Sequence, residues 1–262
     1  MGKRESYEPG TFCWADLATP NPAGAKVFYA ELFGWEAEDV PAGEVGPYTV
    51  LRLGGDEVCG LYEMNAERSE GGIPPQWLAH VSVEDADAVV SRARELGGTV
   101  YGEAFDVGEQ GRFAMVQDPS GAVLAAWQSG TDIGARRVND PGCMTWNELQ
   151  TREPERMAAF YAELFGWEME AERENDRLAY VILKNAGSSN GGIMPMTEQH
   201  GDLPSFWLTY FTVPSCEEAV ARTRELGGEV MTGPVDMGAG RIAVLTDPQG
   251  AAFALFEGEA DD

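Results

Sequence analysis

The sequence predicts an α+β protein made by tandem duplication, each copy holding two βαβββ modules. Two observations carry this. The octapeptide FYAELFGW stands at Phe28–Trp35 and again, unchanged, at Phe160–Trp167. Identity over that length within one chain does not arise by chance. The same landmarks also accompany both copies in the same order. With Gly10–Gln128 set against Gly142–Glu257, Trp14-Ala-Asp16-Leu17 meets Trp146-Asn-Glu148-Leu149, and Gln76-Trp77-Leu78 meets Phe206-Trp207-Leu208. Further on, Arg94-Glu-Leu-Gly-Gly98 meets Arg224-Glu-Leu-Gly-Gly228, and Asp118-Pro-Ser-Gly121 meets Asp247-Pro-Gln-Gly250. These matches set domains at residues 10–128 and 142–257. The polar stretch Ser129–Pro141, with its Asn-Asp-Pro turn signal, is the expected linker.

The elements follow in chain order. Ala25, Phe28, Tyr29, Leu32 and Phe33 recur at helical spacing and form one apolar stripe. Asn21-Pro22 supplies an N-cap with proline at the first helical position, and Gly34 ends the helix. Met157, Phe160, Tyr161, Leu164 and Phe165 repeat the stripe in the second copy. A second helix buries Ala86, Val89, Val90 and Ala93 and stops at Gly97-Gly98; its counterpart opens with a capping-box pattern, Ser215-Cys-Glu-Glu218. Tyr48–Leu53, Leu78–Val83 and Tyr180–Leu183 are short runs rich in β-formers. Asp-Pro-x-Gly makes a hairpin turn between Phe113–Gln117 and Val123–Trp127. FGW after the first helix and LGG after the second mark equivalent places, so the halves of each copy resemble one another as well.

Composition narrows the function classes. The chain has 262 residues, a size for two ordinary domains with real cores. Its formal charge of −26 repels nucleic acid and anionic membranes. The charge reads as a solvated acidic surface, with steering of a cationic ligand as the sharper alternative. MGKRESYEPG lacks the apolar core of a secretory signal, and no run approaches a membrane span. Cys13, Cys59, Cys143 and Cys216 form no C-x-x-C pair and occupy no equivalent places in the copies, so inert thiols in a reducing cytoplasmic setting are expected. No P-loop, dinucleotide fingerprint or nucleophile elbow is present.

Repeated βαβββ units, FYAELFGW and a terminal DPxG hairpin resemble the vicinal-oxygen-chelate superfamily of glyoxalases, extradiol dioxygenases and bleomycin-resistance proteins. The resemblance runs from about Thr11 to Phe256. W-x-[DE]-L, FYxxLFGW and GRxAxxxDPxG are similar to a tandem bacterial branch labelled glyoxalase-like or hydroxylase. The resemblance implies U-shaped mixed sheets enclosing a cavity. In metal-dependent members it implies a divalent ion held by His or Glu from the first strand, the strand before the second helix, the last strand and the end of the first module. Here those places hold Trp14, Leu78, Ala125 and Gly60, and in the second copy Trp146, Leu208, Ala254 and Gly192. None binds a divalent cation through its side chain. The chain's two histidines, His80 and His200, are too few for two such sites, and only His80 lies on an expected strand. No metal ligands and no cofactor are expected.

Other residues remain to carry chemistry. Asp16 and Glu148 share a face with Trp14 and Trp146, because i and i+2 on a strand point the same way. A carboxylate in an apolar concavity serves as general acid or base, orients a hydroxyl or attracts an amine; alternatively it braces strands through backbone N–H groups or an arginine. His80 and its counterpart Tyr210 are expected on the same inner face, as ligand contacts, proton donors or satisfied core groups. Asp16, Glu148, His80 and Tyr210 are therefore the catalytic candidates. The ligand-binding candidates are Trp14, Trp146, Leu78, Leu208, Trp77, Trp207, Trp127 and Tyr48, with Arg112 and Arg241. The two arginines also suit loop-pinning pairs with Asp106 and Asp236. The function expected is a metal-independent binder of a small apolar or aromatic molecule, a metabolite or antibiotic, working as monomer or homodimer. The alternative is a metal-independent hydroxylase component, isomerase or lyase. A metal-dependent glyoxalase or dioxygenase ranks last. The modules pair either within a repeat or between repeats.

Overall fold

A computed structural model describes residues 2–41, 47–65 and 71–259. The first repeat runs β1 (Phe12–Thr19), α1 (Pro22–Phe33), β2 (Glu36–Pro41), β3 (Pro47–Leu53) and β4 (Asp56–Glu63), then β5 (Gln76–Ser82), α2 (Ala86–Glu95), β6 (Thr99–Val100), β7 (Phe105–Val107), β8 (Gly111–Gln117) and β9 (Val123–Ser129). The second repeats the plan: β10 (Met144–Thr151), α3 (Pro154–Phe165), β11 (Glu168–Glu174), β12 (Arg177–Asn185) and β13 (Ser188–Pro195), then β14 (Phe206–Thr212), α4 (Cys216–Glu225), β15 (Glu229–Asp236), β16 (Gly240–Thr246) and β17 (Ala252–Gly258).

Modules pair within each repeat. The first sheet has the order β2-β3-β4-β1-β5-β9-β8-β6 with β7 also on β8, and the second has β11-β12-β13-β10-β14-β17-β16-β15. The two modules of a repeat meet along one central antiparallel pair, β1 with β5 and β10 with β14. Each sheet curls into a half-barrel.

Helix ends form as their residues dictate. Asn21 Oδ1 accepts from Gly24 N at 3.0 Å, and Gly34 closes α1 in the left-handed region at φ 75°. Asp85 caps α2 through two backbone N–H groups. Of the expected capping box at α4, Ser215 Oγ accepts from Glu218 N at 3.3 Å.

The octapeptide serves the contact between repeats. Tyr29 Oη donates to Asp247 Oδ2 at 3.1 Å, and Tyr161 Oη donates to Asp118 Oδ2 at 2.8 Å, so each copy's tyrosine reaches the other copy's DPxG turn. The second glycine of each LGG lies where a methyl group would press on the other copy's octapeptide phenylalanine, Gly98 on Phe160 and Gly228 on Phe28. Trp35 Nε1 donates to Gly142 O and Trp167 Nε1 to Gly10 O, both at 2.7 Å. One apolar core runs through both repeats.

The linker is packed rather than slack. Ala135 N donates to Cys13 O and Arg136 N to Glu57 O, both at 2.8 Å, and Ala135 is fully buried. The four cysteines are free and buried. Among the described residues no helix is long and apolar enough to cross a membrane.

Candidate functional site

Strand register assembles the same row of side chains on the inner wall of each half-barrel. Asp16 stands opposite both Gly60 on β4 and Leu78 on β5; Trp14 stands opposite His80, and His80 opposite Ala125 on β9. In the second repeat Glu148 faces Gly192 and Leu208, Trp146 faces Tyr210, and Tyr210 faces Ala254. A register slip between Phe12 and Trp14 turns these two residues to opposite sides. Phe12 goes to the core, with ring centroids 5.4 Å from Trp167 and 5.3 Å from Trp207. Trp14 goes to the inner wall.

In the first half-barrel Asp16 is buried and Oδ1 accepts from Trp14 Nε1 at 2.8 Å and from Tyr48 Oη. His80 Nε2 lies 2.9 Å from Oδ2, yet it has no aligned hydrogen-bond partner. The contact is therefore a close approach of two polar atoms, not a formed bond. In the second half-barrel Glu148 Oε1 accepts from Tyr210 Oη at 2.9 Å and Gln150 Nε2 at 2.5 Å, and Oε2 accepts from Tyr180 Oη at 2.8 Å. Trp146 Nε1 donates to Tyr180 Oη at 3.0 Å. Burial pushes the Glu148 carboxyl above its ordinary range, against the lowering effect of the three hydrogen bonds.

Gly60 and Gly192 hold the key space. A methyl group on Gly60 would lie 1.8 Å from Tyr48 Oη and 2.2 Å from Asp16 Oδ1; on Gly192 it would lie 1.9 Å from Tyr180 Oη. The tyrosine–carboxylate bond thus occupies the place that a side chain at the end of the first module would use. A divalent ion of the His/Glu type does not fit this donor set. The first wall offers one carboxylate, already bonded, and one imidazole; the second offers a carboxylate among three donors and no imidazole. Among the described residues no group of three or more His, Cys, Asp or Glu side chains is placed to hold a metal.

The other candidates divide. Trp127 shares the inner wall, where Nε1 donates to Asp132 O of the linker at 3.0 Å. Trp77 and Trp207, expected among the ligand contacts, lie on the core side of the sheet rather than on the inner wall. They alternate with Leu78 and Leu208 and therefore point to the core, where Trp77 Nε1 donates to Tyr29 Oη at 3.1 Å and Trp207 Nε1 to Tyr161 Oη at 3.0 Å. Arg112 and Arg241, expected either as ligand contacts or in pinning pairs, are both paired with carboxylates. Arg112 pairs with Asp87 on α2 and with Asp106, and Arg241 pairs with Glu217 on α4, so both pin helices to the outer side. Sequence reasoning missed Gln150, two residues past Glu148 and so on its face. It also missed Asp132, whose carboxyl is raised by burial and by the nearby Glu57 and Asp16. His200 lies in a short turn, Glu198–His200, bonded to Thr197.

Comparison with known proteins gives this architecture relatives. Residues 11–125 match the model of the glyoxalase/bleomycin resistance protein/dioxygenase superfamily, and residues 144–256 match that of the glyoxalase-like domain. The chain is 38% identical over 98% of its length, and 98% of the relative's, to CFP32 of Mycobacterium tuberculosis (strain CDC 1551 / Oshkosh), provisionally named a glyoxylase. It is 32% identical to the anthracycline biosynthesis protein DauV of Streptomyces sp. (strain C5), covering 96% of this chain and 94% of that one. Among solved structures, the Mn(II)-bound glyoxalase from Novosphingobium aromaticivorans superposes with a TM-score of 0.67 at 15% identity, over 97% of this chain and 84% of that one. The 2,3-dioxygenase LapB from Pseudomonas sp. KL28 gives 0.63 at 15% identity, over 94% and 93%. These structural likenesses establish the fold. Matched in both halves, and along nearly its whole length by a relative of this identity, the chain belongs to the glyoxalase/bleomycin resistance protein/dioxygenase superfamily.

Proposed function

We propose that the protein binds a small, largely apolar or aromatic molecule in its half-barrels and does so without a metal ion. One observation carries this reading. In both halves the ligand positions hold Trp, Leu, Ala and Gly, and the glycine's space is taken by a tyrosine hydroxyl bonded to the wall carboxylate. Apolar walls with a few placed polar groups suit ligand burial and orientation. A relative named for anthracycline biosynthesis makes fused-ring aromatic compounds the first class to try.

The test uses the full chain purified without chelator. Elemental analysis should find no stoichiometric Zn, Ni, Fe or Mn. A thermal-shift screen with fused-ring aromatics should raise the melting temperature equally with and without EDTA, because a ligand that binds the native state stabilises it. A shift that requires added metal would overturn the reading.

One geometric observation favours a second reading, a metal-independent enzyme such as a hydroxylase component, isomerase or lyase. Asp16 and His80 bring a carboxylate and an imidazole to 2.9 Å in the first half-barrel, a pairing suited to proton transfer. On that reading Asp16→Asn abolishes turnover and leaves ligand binding nearly intact.

A further inference from the structure

The two half-barrels differ at the point where a ligand would meet a polar group. Glu148 has aligned donors on both oxygens: three side chains close on them. Asp16 does not. Both aligned donors, Trp14 and Tyr48, fall on Oδ1, and Oδ2 has only the misaligned His80 Nε2 beside it. His80 is 4% exposed and its Nε2 lacks a hydrogen-bond partner. A buried polar atom left so is costly, and a bound group that completes the bond recovers that cost.

The surroundings differ in the same sense. The Phe113 ring stands edge-on to His80 with centroids 5.6 Å apart, and Phe105 packs on Phe113 at 5.4 Å. Phe105 is 55% exposed, so the aromatic pair leads from solvent to the imidazole. Strand register places the aliphatic pair Val235 and Ile242 at the matching positions of the second half-barrel. The linker closes on the first wall, through Trp127 Nε1 donating to Asp132 O.

We propose that ligand recognition is confined to the first half-barrel. There a hydroxyl carried on an aromatic ring bridges His80 and Asp16, donating to Asp16 Oδ2 and accepting from His80 Nε2. The ring lies against Phe113 and Phe105. A hydroxyl fits because it is donor and acceptor in one atom, which is what the unequal pair lacks. The second half-barrel is a structural copy whose carboxylate is spent on its own tyrosines. This rests on the reading that the protein binds a small aromatic molecule, and it names the half, the anchor and the ligand group.

The experiment uses 2-naphthol and its methyl ether, 2-methoxynaphthalene, with the full chain labelled with 15N-histidine. The two histidines give two sets of ring signals, His80 from the wall and His200 from its turn. The expected result is one 2-naphthol per chain, movement of the His80 signals alone, and binding about tenfold weaker for the ether, which cannot donate. His80→Phe should weaken 2-naphthol at least about tenfold while leaving intact its preference over the ether, which is set by donation to Asp16 Oδ2. Two molecules per chain, or equal binding of both probes with His80 unmoved, overturns the proposal while leaving the binding reading in place. Failure of both probes, in titration and thermal shift alike, counts against the binding reading itself. The wild-type spectra decide these outcomes even where the variant does not fold.

Discussion

Glu148 sits in a buried cluster with Tyr180, Tyr210 and Gln150, and its position has a consequence for stability against pH. Burial raises its folded pKa above the unfolded value. A group shifted that way contributes stability that is fully present below the unfolded pKa, about 4.3 for glutamate, and lost as pH rises through the folded value. Asp132 and Asp247 are raised in the same direction, so the wild-type profile alone does not isolate one residue. The comparison with Glu148→Gln does. Urea unfolding followed upward from about pH 4 should show the wild type losing stability relative to the variant as pH rises. A difference that stays constant with pH would sink the assignment. Gly60 makes a second demand at this scale, one of space rather than backbone conformation. Gly60→Ala places a methyl group against Tyr48 Oη and Asp16 Oδ1. Overpacking together with a broken charge-assisted bond should cost about 2–4 kcal/mol in chemical denaturation, and a cost below about 0.5 kcal/mol would show that the wall yields freely.

The recurring octapeptide explains itself at the scale of elements. Its tyrosines tie each first helix to the opposite repeat's hairpin turn and also accept from the core tryptophans Trp77 and Trp207. Tyr29→Phe and Tyr161→Phe keep the ring but strand a buried indole N–H and remove a donor from a buried aspartate. Each should therefore destabilise by about 1.5–3 kcal/mol in urea titrations, and a loss under about 0.5 kcal/mol in both would mean that these bonds do not join the repeats. The helices and hairpins were legible because their signals are local: Asn21 before Pro22, Gly34 after the stripe, Asp118 four residues ahead of the Ala122 that it caps. The wall was legible in part. Alternation along β1 and β10 placed Trp14 with Asp16 and Trp146 with Glu148, and the same rule applied to β5 and β14 sends Trp77 and Trp207 to the core, a step the expectation omitted. What joins strands was not legible. That Tyr48 fills the space over Gly60, or that Arg112 reaches Asp87 across the outer side, depends on registers between segments distant in sequence.

At the scale of the molecule the two repeats share one core, which sets how the chain should unfold. Phe211 belongs to the second sheet, yet its ring centroid lies 5.2 Å from Phe33, 5.4 Å from Trp35 and 5.1 Å from Trp77, all of the first repeat. Phe12 makes the reciprocal insertion against Trp167 and Trp207. The bridging ion pairs Arg92–Glu163 and Arg222–Glu31 are half exposed, and such surface pairs contribute little, so the aromatic contacts must dominate the coupling. Two independent domains would give two transitions; two halves that each complete the other's core lose their contacts together. We therefore expect one transition in urea, coincident by tryptophan fluorescence and far-UV circular dichroism. Phe211→Ala leaves a cavity on that boundary and should cost about 3–5 kcal/mol. Because the loss falls on contacts between repeats, it should also separate the two probes, since both tryptophans packed on Phe211, Trp35 and Trp77, belong to the first repeat. Two resolved transitions in the wild type would contradict the shared core, and a variant that is destabilised but still unfolds in one step would place the coupling elsewhere, in the tyrosine–aspartate ties of the octapeptide.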